Sequence, residues 1–143
     1  RSTRLSSIAM NAKAIDNIIL EMTKKECLEN SCANVPKVKF RDLEKILGST
    51  KELLLTEPML AMGNTPRVFV GDIHGQYGDL LNAFTILKFR NKDSVVSKGN
   101  RSAGFVARNF TFLGNYVDGG PCGVECVTLF CLLKLRYPTH VSV

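Results

Sequence analysis

Long apolar runs are missing from this chain. The longest, Cys126 to Leu133, is interrupted by Thr128 and followed by Lys134, well short of the about eighteen apolar residues a membrane-spanning helix needs. The reading is a chain that does not span a bilayer. The start, RSTRLSS, is polar and no apolar segment follows it, so nothing there reads as a secretory leader. The expectation is an intracellular protein, cytoplasmic or nuclear, with the sequons at Asn100 and Asn109 present by chance. Arginine rather than methionine at position 1 reads as a start that has been clipped. Cys-x-x-Cys pairs are absent too, which disfavours a zinc or dithiol motif. Of the five cysteines, Cys122, Cys126 and Cys131 fall in a predicted helix and read as buried free thiols, which behave as small apolar residues. Basic blocks are lacking: the 19 Lys and Arg are spread in pairs such as Lys24-Lys25, so a net charge of +6 makes only a weak case for a nucleic-acid partner. Nucleotide loops are lacking as well, with no Gly-x-Gly-x-x-Gly after a strand and no Gly-Lys-Ser/Thr.

What is present suits one ordinary folded domain: 143 residues, 45% of them hydrophobic and 22% charged, enough for a packed core. NAKAIDNIILEMTKK sets Ile15, Ile18, Ile19 and Met22 at helical spacing, and FRDLEKILGSTKELLLTEP repeats the pattern through Leu43, Ile46, Leu47, Leu53 and Leu54 before Pro58. Residues 1 to about 60 are expected to be mostly helical. RVFV then reads as a short buried strand, and DLLNAFTILKF resumes helical spacing at Leu80, Leu81, Phe84 and Leu87. FRNKDSVVSKGNRSAGFVAR reads as an exposed loop or insertion. A second strand from Phe110 to Leu113, a polar loop and a helix from about Val124 follow, and THVSV looks like a third strand.

The two strand-loop-helix units share one plan, VFVGD at 68–72 and TFLGN at 111–115. Such units in succession argue for neighbouring parallel strands, whose ligand crevice lies beyond the carboxyl ends. Asp72, His74, Asn115 and Asp118 all fall there. Carboxylate oxygen and imidazole nitrogen suit zinc, iron or manganese, and Gly71 and Gly75 let the backbone turn close to an ion. A polar turn with a solvated histidine is the competing reading of Asp72-x-His74 taken alone.

GDIHGQYGDLL resembles the first signature of the phosphoprotein phosphatases, the type 1-like serine/threonine phosphatases of the metallophosphatase superfamily. FLGNYVDGG resembles their second, Gly-Asp-x-Val-Asp-Arg-Gly, and LLLTEPML and CLLKLRYPTHVSV are similar to the flanking family segments. The resemblance runs from about Ile15 onward and reaches the first half of the family's domain. It implies an α/β fold, the N-terminal part of the calcineurin-like metallophosphatase sandwich, incomplete in this chain: a helical lead at 1–60 and a truncated α/β core at 61–143. It also implies two divalent ions, commonly manganese, iron or zinc, that activate a water for attack on a phosphate ester. Phosphoprotein substrates and regulatory subunits come with the same resemblance.

Carried over by position, Asp72 and His74 are metal ligands, Asn115 stands where the family has a metal-bridging aspartate, Asp118 matches the aspartate that orients a catalytic histidine, and Gly119 replaces a phosphate-binding arginine. A neutral amide bridges cations poorly and glycine cannot grip phosphate. The family's Gly-Asn-His-Glu motif is expected after THVSV, and His140 is not its histidine but a structural or solvent-facing one. The expectation is at most one weakly held ion and a phosphatase that is inactive or very weak as this chain, so that whether it is an enzyme at all stays open. The alternative is a non-catalytic pseudophosphatase or interaction module.

Overall fold

A computed structural model describes residues 10–28, 32–60, 63–87 and 109–143. The expected loop at 89–108 lies outside them. Among the described residues the chain forms four α-helices, two short 3-10 turns and three strands, the α/β architecture read from the sequence.

Helix α1 (Ala12–Met22) begins where the Asn11 side chain accepts the Ala14 amide at 2.8 Å, a cap that satisfies one of the free amides of the first turn. Its buried stripe is Ile15, Ile19 and Met22, spaced to fall on one face. Asp16 is buried with them because Arg136 reaches it, Nε to Oδ1 at 2.7 Å. The 3-10 turns Lys25–Leu28 and Cys32–Asn34 lead to helix α2 (Phe40–Leu55). Here the structure departs from the expected stripe: only Ile46 and Thr50 are buried, while Leu47 and Leu54 remain substantially exposed. Helices α1 and α2 both pack on the last helix, α4 (Gly123–Arg136).

Strands β1 (Arg67–Val70), β2 (Asn109–Phe112) and β3 (Val141–Ser142) form a parallel sheet in that order. Val68 pairs with Phe110, and Phe110 with Val141. Alternation along β2 sends Phe110 and Phe112 into the core, as the two-residue period of a strand requires. Phe112 lies against Phe130 of α4 at 4.6 Å between ring centroids and edge-on to Phe84 at 6.2 Å. Phe84 belongs to α3 (Tyr77–Ile86), the helix after the first loop. Phe69, one position out of phase, stays exposed, and Arg67 reaches across the sheet to Phe110 O, Thr111 Oγ1 and Ser142 Oγ. His140 sits in the turn before β3 rather than in the strand; its side chain is exposed and its carbonyl accepts the Phe110 amide. Among the described residues, no helix is long and apolar enough to cross a membrane.

Lys134 ties the end of α2 to the sheet. It is 2% exposed, pairs with Glu57 at 2.6 Å, and donates to the carbonyls of Pro138 and Val141 at 3.1 and 2.9 Å. Lys134→Met keeps the apolar stem but orphans those acceptors, and each buried polar group left unmade costs about 1–3 kcal/mol. The expected outcome is a fall in unfolding free energy of about 2–4 kcal/mol by urea titration; an unchanged midpoint would show that Lys134 is not what holds this corner.

Candidate metal centre

Two loops leave the carboxyl ends of β1 and β2, 71–76 and 113–122, and they are laced by backbone hydrogen bonds. Asn115 O accepts the amides of both Ile73 (3.1 Å) and His74 (2.9 Å), Tyr116 O accepts that of Gly75, His74 O accepts that of Gly120 (2.6 Å), and Gly75 O accepts that of Cys122 (3.1 Å). So close an apposition needs glycine. A Cβ at Gly120 would come within 2.5 Å of His74 O and 2.6 Å of Gly75 C, and Gly75 has a φ of +70°, a region that residues with a Cβ seldom adopt.

His74, Asn115 and Asp118 adopt left-handed backbone too, with φ of 51°, 55° and 65°. For non-glycine residues this is uncommon and costs free energy, so it persists where surrounding contacts over-determine it. The three residues so held are three of the four polar residues the sequence placed at this crevice.

Their side chains converge. Asn115 Nδ2 lies 2.7 Å from Asp72 Oδ2 and 3.0 Å from His74 Nε2, and the last two atoms are 3.3 Å apart. His74 Nδ1 is 3.1 Å from the Asp118 carbonyl, an acceptor, so the tautomer that satisfies these contacts carries its proton on Nδ1 and offers the Nε2 lone pair. The Asn115 NH₂ has two protons to give and two acceptors to receive them. With the amide flipped, Oδ1 would face two lone pairs, which sets the orientation. Asp72, His74, Asn115 and Asp118 are all solvent-exposed. The Asp118 side chain forms no ion pair or hydrogen bond within the described part of the molecule; its backbone carbonyl, not its carboxylate, is what touches the site. Gly119, at φ +97°, has only ordinary space around a built Cβ, with His74 Cβ at 3.7 Å, so an arginine there is opposed by backbone strain rather than by crowding.

The family model of the calcineurin-like phosphoesterases matches residues 65–142, more than half of the 143 residues and both of these loops. The chain belongs to that family. Named relatives include the serine/threonine-protein phosphatase SIT4 of Candida albicans, 36% identical over 101 residues, which are 71% of this chain and 29% of that protein. A protein phosphatase 2A catalytic subunit of Dictyostelium discoideum is 32% identical over 128 residues, 90% of this chain and 33% of that protein. The PP2A-like phosphatase PPG1 of Saccharomyces cerevisiae is 35% identical over 118 residues, 81% and 27%. The chain thus spans about a third of the length of these relatives.

Divalent cations belong to this metallophosphatase family. Asp72 and His74 have the donor chemistry for one such ion. A two-ion centre does not fit the residues described: no third histidine, cysteine or carboxylate donor groups with Asp72 and His74 among them, and the amide between the two presents its nitrogen, which cannot ligate.

Sequence reading missed one further convergence. Cys122, expected to be a free thiol in the helix, instead stands at the position just before α4, without a side-chain cap, and is bonded to Cys32, 90 residues away; a separation that long carries no spacing signal. Cys126 and Cys131 are free, as read, and burial pushes the Cys126 thiol up to about 12.

Gly120→Ala tests the interlock. The added methyl must push the loops apart, and overpacking of this kind costs about 1–3 kcal/mol. The expected outcome is a matching fall in stability by urea titration, with faster exchange of the Gly75 and Cys122 amides; an unperturbed variant would show that the close approach is not required.

Proposed function

We propose that this chain is part of a metal-dependent serine/threonine phosphoprotein phosphatase whose own centre is biased against catalysis. The named relatives support the reaction class. The observation that carries the bias is the Asn115 carboxamide, which donates to both Asp72 and His74 and so satisfies, without a cation, the two groups that would hold one. A bound ion pair in such a phosphatase supplies Lewis acidity and a hydroxide at neutral pH for in-line attack on a phosphate monoester. In this chain, Asp72 and His74 would hold one ion weakly, His74 being oriented by the Asp118 carbonyl. Gly119 leaves the phosphate without a guanidinium fork. Losing one such charge-stabilising contact commonly lowers rate about a hundredfold or more, so hydrolysis by the chain is very weak or nil. Phosphoproteins are the ligand class, and regulatory subunits the partner class, that this reading brings.

A second reading is a non-catalytic module that keeps the scaffold and binds a phosphoprotein or a phosphatase partner. The same amide favours it, because a site already satisfied by a neutral donor has no need of an ion to keep its shape.

Titration calorimetry with Mn²⁺ on the native chain should find at most one weak site. Asn115→Asp replaces the donor by a carboxylate, and affinity should rise about tenfold or more; stoichiometric tight binding of two ions by the native chain would sink the proposal. Assayed on a phosphoserine peptide, the native chain should stay near background. Activity that appears in Asn115→Asp, or in Asn115→Asp with Gly119→Arg, points to a damaged enzyme. Improved cation binding with no turnover points to the binding module.

A further inference from the structure

Cys32 and Cys122 bring together parts of the chain that the sequence keeps 90 residues apart, with their Cα atoms at 5.4 Å. Cys122 is fully buried directly before α4, and Cys32 is partly exposed in the second 3-10 turn. Around them, Glu125 of α4 pairs with Lys37, and its carboxylate lies 3.8 Å from Cys32 Sγ. Cys32 Sγ is also 2.8 Å from the Pro121 carbonyl oxygen. Segment 32–37 is therefore fastened to the start of α4 at two points. The Lys37–Glu125 pair is a weak tie, since Lys37 is largely exposed and exposed pairs contribute little. The sulfur bridge is the strong one.

What it fastens is the loop that carries Asn115 and Asp118. The Cys122 amide donates to Gly75 O and the Gly120 amide to His74 O, so the bridged residue is itself one of the lacing points of the candidate centre. We propose that Cys32 and Cys122 form a reversible thiol–disulfide site, oxidised by a peroxide or a small disulfide and reduced by a dithiol, whose bridged state holds loop 113–122 against the His74–Gly75 turn. This does not depend on the phosphatase reading.

The chemistry balances with those co-reactants. With hydrogen peroxide, the Cys32 sulfur, the accessible one, attacks an oxygen; the O–O bond breaks, water leaves, and a sulfenic acid forms. The Cys122 sulfur then attacks that sulfur, the S–O bond breaks, and a second water leaves. With glutathione disulfide, two exchanges give the bridge and two glutathione thiols. In the reverse direction a dithiol is oxidised to its own disulfide as both cysteines regain protons. The other three cysteines, Cys27, Cys126 and Cys131, are free, and desolvation raises each thiol above its ordinary range. They stay protonated at neutral pH and react slowly, which leaves the bridged pair as the responsive one.

Two measurements on the full chain test this. After treatment with hydrogen peroxide, quenching with iodoacetamide in denaturant should label three cysteines and leave a Cys32–Cys122 cross-linked peptide in the mass spectrum. Dithiothreitol should raise the count to five, and glutathione disulfide should restore the same pair. Five labelled cysteines after oxidation, or any other pairing, overturns the site. Hydrogen exchange at the Gly120 and Cys122 amides should run about tenfold faster in the reduced chain than in the bridged one, and Cys32→Ser should reproduce the fast rates whatever the oxidant. Equal rates in the two states of the unsubstituted chain overturn the coupling to the loop, even where the cross-link forms, and require no substitution to fold.

Discussion

Asn115 grips the first loop with both ends of its residue. Its carbonyl accepts the Ile73 and His74 amides, and its side-chain NH₂ donates to Asp72 and His74. Four hydrogen bonds thus pass between one residue and a three-residue stretch of the loop after β1. The left-handed backbone at 115 is what lets carbonyl and side chain face the same loop at once, and the price of that conformation is borne by the contacts it makes possible. Everything else at the crevice is placed relative to this clasp. The Asp118 carbonyl comes round to His74 Nδ1, Gly120 slides under His74 O, and Cys122 ends the loop on Gly75 O.

Under the proposed function a cation at such a place would have two physical roles: to supply the chemistry of the reaction, and to cross-link two loops that no covalent bond joins. This chain supplies the second role by other means. Backbone hydrogen bonds lace the loops, a neutral amide stands between the carboxylate and the imidazole, and the Cys32–Cys122 bridge secures the far end of the second loop. None of the three brings a positive charge. The cradle's shape is therefore separable from the electrostatics that would act on a phosphate, and a chain can keep the one while losing the other.

The helices and strands could be read from periodicity because their apolar residues face one core: Ile15, Ile19 and Met22 on α1, and Phe110 and Phe112 on β2. Helix α2 shows the limit of that signal, since Leu47 and Leu54 continue the stripe yet lie at the surface; spacing tells which side chains share a face and not whether anything covers it. The meeting of Asp72, His74 and Asn115 was legible from two strand ends carrying polar residues in matching places. How they meet was not. Reasoning from the amide oxygen finds Asn115 merely a poor ligand, whereas the structure turns the nitrogen inward. Histidine, asparagine and aspartate are the non-glycine types that best tolerate left-handed φ, so residue type permits that backbone here without foretelling that all three adopt it in one crevice, and nothing local pairs cysteines across 90 positions. These features come from tertiary closure, which local sequence does not encode.

The inward nitrogen changes what the proposed weak cation site means here. A missing charge alone would leave Asp72 and His74 free to accept an ion, only less strongly. With the amide in place, an ion must also displace a donor already satisfying both groups. Net hydrogen bonds of this sort contribute about 1 kcal/mol each, less where water competes, as it does at these exposed side chains. Turning the amide to present Oδ1 therefore costs roughly 1–2 kcal/mol before any ion is bound, a factor of about five to thirty in affinity. The same turn is open to asparagine because its two ends are nearly the same size, so the backbone clasp through Asn115 O can survive it. Asparagine at 115 is then not a simple deletion of charge. It is a competitor built into the proposed site, and a carboxylate in its place would remove the competitor and add a ligand in one step.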